Sequence, residues 1–146
     1  MTKKKTAEKE YRLLIEPVFD ETLKKNGILF YFETVKQFSN FNYEIAIEDV
    51  VEDGSLAWSI HGLRAPSMNM PSFGSARFSK IYFDLKKHLT LTIAKSDGEV
   101  NSFAIKFLKT GIVVEPQEKY SFVELFTSQQ LFESTTNIPN TPSNKK

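Results

Sequence analysis

Between residues 88 and 108 the chain reads HLTLTIAKSDGEVNSFAIKFL, and this stretch constrains the fold more than any other. Leu89, Leu91 and Ile93 fall on one side of a period of two, and His88, Thr90 and Thr92 on the other. Phe103, Ile105 and Phe107 repeat the pattern after Ser96-Asp97-Gly98, a strong hairpin turn. A helix turns by about 100° per residue and would scatter these side chains around its axis. Extended strands with one covered face are the arrangement that uses them.

The same texture runs through most of the chain. ILFYFETV (28–35) is aromatic and β-branched on both faces, which suits a strand covered on both sides. In FNYEIAIED (41–49), Phe41, Tyr43, Ile45 and Ile47 alternate with polar residues. SLAWSI (55–60) directs Leu56, Trp58 and Ile60 inward after the Asp53-Gly54 turn. ARFSKIYFDL (76–85) and IVVE (112–115) complete a set of seven strands. The expected fold is all-β, an antiparallel sandwich or small barrel of about seven strands, with a meander over 76–115.

Two segments read as helix. DETLKKNG (20–27) offers Asp20 as a cap, lysines in the last turn and Gly27 as a left-handed exit. Ser121-Phe122-Val123-Glu124 fits a capping box, which favours a short helix over 121–133. Read with period two, the same residues make an edge strand. Residues 1–10 are expected to be a flexible arm, with a short helix towards Ile15. Residues 11–133 form one domain, and 134–146 a disordered tail.

Composition narrows the chemistry. Thirteen phenylalanines point to a thick aromatic core or, for some rings, a contact surface. With no cysteine there are no disulfides, thiolate zinc sites or thiol nucleophile. The net charge of +1 gives no general attraction to nucleic acid or anionic membranes. The basic start lacks the apolar stretch of a signal peptide, so the expectation is a soluble cytoplasmic protein. Lysines spread over 80–109 solvate strands and protect edges, which leaves nucleic acid an unexpected partner.

Catalytic patterns are scarce. His61 and His88 lie at outward positions with no second histidine at metal-ligand spacing. The acids of EDVVED (48–53) do not follow a calcium loop and read as solvated strand ends. MPSFG (70–74) opens with Met where a nucleophile elbow needs Gly, and glycine-rich phosphate cradles are missing. No enzyme activity, metal or cofactor is expected.

What stands out is HGLRAPSMNMPSFGSAR (61–77), longer than an ordinary hairpin connection. From Gln37 to Leu63 the chain carries five acids and no Lys or Arg. From Gly54 to Phe83 it carries no acid but contains Arg64, Arg77 and Lys80. Arginine presents a planar fork of donors suited to carboxylates and phosphates. One reading pairs these arginines with the acids of neighbouring strands. The other makes the loop a contact surface built from Arg64, Met68, Asn69, Met70, Phe73 and Arg77, with flexible thioethers beside the guanidinium groups. The functional expectation is a non-catalytic protein acting through contact with another protein or with itself. The alternative is a module binding a small anion or carbohydrate at this loop, with Trp58 as a further candidate.

Overall fold

The computed structural model describes residues 9–39, 43–65, 74–116 and 121–134. In chain order the elements are β1 (Tyr11–Asp20), β2 (Lys25–Phe38), β3 (Glu44–Glu52), β4 (Ser55–Arg64) and β5 (Gly74–Tyr82). They continue with β6 (His88–Ala94), β7 (Val100–Leu108), β8 (Gly111–Pro116), β9 (Val123–Phe126) and the short helix α1 (Gln129–Ser134). Among the described residues all nine strands belong to one sheet, ordered β8-β7-β6-β4-β3-β5-β2-β1-β9. The fold is therefore mostly β, as the alternation requires. It differs from a seven-stranded antiparallel sandwich in being a single mixed sheet, with parallel pairings at β1/β9, β3/β5 and β4/β6.

The sheet curls into a half-barrel around its own apolar face. Leu13 and Ile15 of β1 share one core with Leu91 and Ile93 of β6 and with Phe103 and Ile105 of β7. Trp58 sits at the centre, 1% exposed, with the rings of Phe30, Phe32 and Phe78 edge-on at 5.9, 5.2 and 5.2 Å. Such pairs add roughly 0.5–1.5 kcal/mol each beyond the area they bury. Leu56, Trp58 and Ile60, and Leu89, Leu91 and Ile93, all lie inward as their alternation predicts. Most described phenylalanines serve this core or a smaller cluster of Leu14, Phe126 and Phe132 on the opposite face.

Polar side chains fasten one end of the curl. Asn101 of β7 accepts hydrogen bonds from the Phe122 amide and the Ser121 hydroxyl, both at 2.8 Å. Lys95, after β6, reaches Glu10 at 2.7 Å, Glu99 at 3.1 Å and Asp97 at 3.6 Å, above the Phe122 ring. Burial works against its charge, but its hydrogen bonds to Glu10 and Glu99 outweigh it and raise its pKa.

Three expectations need correction. The residues leading to Ile15 are strand, and DETLKKNG is the turn of the β1–β2 hairpin instead of a helix. Its helical grammar is real for a single turn: Asp20 Oδ1 accepts from the Leu23 amide at 2.8 Å, and the Lys24 amide donates to the Asp20 carbonyl at 2.7 Å. Lys24, with φ of 56°, takes the left-handed position assigned to Gly27. Gly27 instead lies within β2, where a Cβ would come within 2.7 Å of Ile81 and Phe83 side-chain atoms. Pro17 is tolerated in β1 because β9 covers only Tyr11–Leu14, leaving Pro17 on an edge.

At the other end of the chain the helix expected to start from the Ser121 capping box gives way to the alternative, an edge strand, and a helix begins only at Gln129. Residues 123–126 form the parallel edge strand and 129–134 the helix, while the Ser121 hydroxyl binds Val123 and Asn101 instead of capping. The meander runs only through β6, β7 and β8, because β5 pairs with β2 and β3. Residues 135–146 of the expected tail lie outside the described residues, as do 1–8 of the arm.

Candidate functional site at the β3–β5 junction

The strand register brings the three arginines of the chain into one row. Across β9, β1, β2, β5, β3 and β4 the paired residues are Glu124, Arg12, Glu33, Arg77, Glu44 and Arg64. The charges alternate strictly, and directly paired residues in adjacent strands share a face. Reading the sequence found Arg64 and Arg77 but missed Arg12, Glu33 and Glu44 as members of the same feature.

The two ends of the row differ. Arg12 is 3% exposed, forms an ion pair with Glu33 at 2.5 Å and donates to the Phe132 carbonyl of α1. Its guanidinium lies over the rings of Phe132 and Phe126, at 4.0 and 5.2 Å from their centroids. Arg64 is exposed and meets Glu44 at 3.1 Å. Arg77, also exposed, lies between Glu33 and Glu44 in the row. It acts on the neighbouring Tyr31 hydroxyl: burial raises that pKa most, Arg77 lowers it and Glu33 raises it.

The sheet is weakest where this row crosses from β5 to β3. Among the described residues, Glu44 and Arg77 are the only register pair joining the two strands, supported by the Arg77 amide donating to the Tyr43 carbonyl at 3.2 Å. A cleft of about 510 Å³ opens there, lined by Arg64, Arg77, Glu44, Tyr43 and Phe78. Further along, side chains replace the missing ladder. Lys80 binds Asp49 at 2.8 Å, and the Tyr82 hydroxyl donates to the same carboxylate oxygen at 2.5 Å while accepting from Trp58 Nε1 at 3.0 Å. Burial pushes the Asp49 carboxyl up, but the bonds from Lys80 and Tyr82 pull it further down. Burial and the bond to Asp49 raise the Tyr82 pKa.

Other acids of the 44–53 segment also find side-chain partners. Glu48 meets His61 at 3.1 Å, and Asp53 meets Lys86 at 3.1 Å. The opposing charges read from the two halves of the sequence thus face one another in space. His88 is exposed at the start of β6. Among the described residues, no group of three His, Asp or Glu could hold a metal ion, and no helix is long and apolar enough to cross a membrane. Of the loop residues expected to form a contact surface, Arg64 and Arg77 come together at the cleft. Met68, Asn69, Met70 and Phe73 lie outside the described residues.

Comparison with known protein families, with curated proteins and with solved structures finds no match for this chain.

Proposed function

We propose that the protein acts without catalysis, by contact with another protein at the β3–β5 cleft. The observation that supports this most is the chemical character of the cleft. Two exposed arginines, one carboxylate and two half-buried aromatic rings surround a gap between strands that share one register pair. Arginine and aromatic side chains are the types that contribute most at protein interfaces. Mixed charge suits a polypeptide, which can offer both an acid to Arg77 and a donor to Glu44.

The test is charge reversal at both arginines, Arg64→Glu with Arg77→Glu, compared with the parent protein in cross-linking from cell extract. Circular dichroism and a melting curve check that the fold persists with like charges now opposite Glu33 and Glu44. A defined partner that cross-links to the parent and is lost from the double variant supports the proposal. Partners identical for both proteins, or none for either, count against it.

A second reading is favoured by one specific observation, the two guanidinium groups at one cavity: a small anion bound there. Arg64 already contacts Glu44, so an anion would compete with a resident carboxylate. Thermal shift with phosphate, sulfate and small carboxylates separates the readings. Stabilisation lost in the double variant favours the anion.

A further inference from the structure

The two edges of the open sheet are not equally protected. At one edge lies β9, four residues that carry Glu124, and the part of β1 it leaves uncovered carries Glu16, Pro17 and Asp20. Proline and charge on an edge strand discourage further pairing. At the other edge lies β8, Gly111–Pro116, with the sequence GIVVEP and no lysine or arginine. Such an edge is a template for another strand.

Its hydrogen-bond parity can be worked out from the turn before it. Leu108 pairs with Gly111 across a two-residue connection, a spacing that makes this a mutually hydrogen-bonded pair. The Phe107 amide agrees, since it points away from β8 and donates to the Lys87 carbonyl at 2.9 Å. Alternation then directs the backbone groups of Gly111, Val113 and Glu115 towards β7. Those of Ile112 and Val114 point out from the sheet edge.

We propose that β8 pairs antiparallel with β8 of a second copy of this chain, about a two-fold axis at Val113. This surface is distinct from the β3–β5 cleft, and the two proposals stand or fall separately. With the axis at Val113, Ile112 faces Val114 of the second copy and Val114 faces Ile112. Both are outward-pointing residues, so the outward donors and acceptors satisfy one another. Val113 meets its own counterpart in a non-hydrogen-bonded pair, the closer of the two antiparallel spacings. Its side chain is 43% exposed and free to make that contact.

Charge complementarity selects the same register. Glu115 falls opposite Gly111, so no like charges are opposed. Pro116 supplies no amide and ends the pairing. Ile112 and Val114 are half-buried and pack against the main core, so pairing continues the curled sheet into the second copy. One short strand buries less than a standard interface, which predicts a weak, concentration-dependent dimer.

The experiment is sedimentation of the full chain from micromolar to millimolar concentration, with Val113→Lys, Val113→Glu and an equal mixture of the two. The expected result is a reversible parent dimer, weakened about tenfold or more in each variant by opposed like charges and restored in the mixture. Val113→Cys gives a second readout in a chain with no cysteine. It should form a disulfide dimer much faster than Val51→Cys, an exposed control on β3. A non-hydrogen-bonded pair at roughly 4.5 Å between Cα atoms lies within disulfide reach. A parent that stays monomeric at millimolar concentration overturns the proposal. So does a dimer indifferent to position 113, or cross-linking no faster at 113 than at 51.

Discussion

Arg12 and Arg64 belong to the same alternating row, each beside a glutamate on the neighbouring strand, yet their surroundings give them opposite roles. Arg12 lies under helix α1, against two phenylalanine rings, and its ion pair is nearly closed to water. Arg64 and Glu44 stand in solvent at the mouth of a cleft, with side chains 62% and 51% exposed. Water screens the second pair and costs it little to break. The first is screened far less, and removing one member leaves the other charge buried. The same residue types in the same register therefore fasten the fold at one end and present a surface at the other.

The largest expected effect is at the buried end. Arg12→Ala should destabilise the protein by about 3–5 kcal/mol in chemical denaturation, the usual cost of breaking a buried pair. It should also make residues 129–134 more susceptible to proteolysis, because the guanidinium holds α1 through the Phe132 carbonyl. A loss no greater than that of a surface substitution would erase the contrast.

An intermediate effect is expected at the core side of the β3–β5 break. Tyr82→Phe removes the hydroxyl between Trp58 and Asp49 and should cost about 1–3 kcal/mol, since the buried indole N–H loses its acceptor. Tyr82 also predicts alkaline behaviour. Its pKa is raised by folding, so its contribution is complete below its unfolded value, near 10, and is lost as pH rises through the folded value. The Phe variant should show a flatter fall in stability above about pH 10.

A smaller effect is expected for the lowered pKa of Asp49, whose contribution is complete above its unfolded value and is lost as pH falls through the folded one. Asp49→Asn should remove that part of the acid dependence, read as the difference between melting curves near neutrality and below about pH 4. The smallest effect belongs to Arg64→Ala, about 0–1 kcal/mol, fading as salt is added. A large, salt-independent loss there would mean that the cleft is part of the scaffold.

Alternation made the inward faces of β4, β6 and β7 legible, because one residue in two is apolar where a single face is buried. β1 escaped for a physical reason. Leu13 and Ile15 bury on the core side while Leu14 buries under Phe126 and Phe132 on the other, so YRLLIEPVF shows no period of two. The turn at 20–25 carries the signals of a helix because it contains one helical turn and no more. At 121–134 a four-residue strand and a six-residue helix follow each other too closely for either period to dominate. At the cleft, the charge asymmetry along the chain offered pairing of the arginines with acids of neighbouring strands as one reading, and Arg64 meets Glu44. The row itself was not readable, because it depends on strand order. Arg12 and Arg77 are brought near each other only by β2, and Arg77 and Glu44 only by a parallel pairing between strands separated in sequence by β4.

The most direct measurement is a pair of double-mutant cycles, Arg12/Glu33 and Arg64/Glu44, by denaturation at low and high salt. The first should give a coupling of about 1.5–3 kcal/mol, typical of hydrogen bonds to charged groups, and little response to salt. The second should lie below about 1 kcal/mol and fall towards zero at high salt. Equal couplings with equal salt sensitivity would contradict the division of this row into a fastener and a surface.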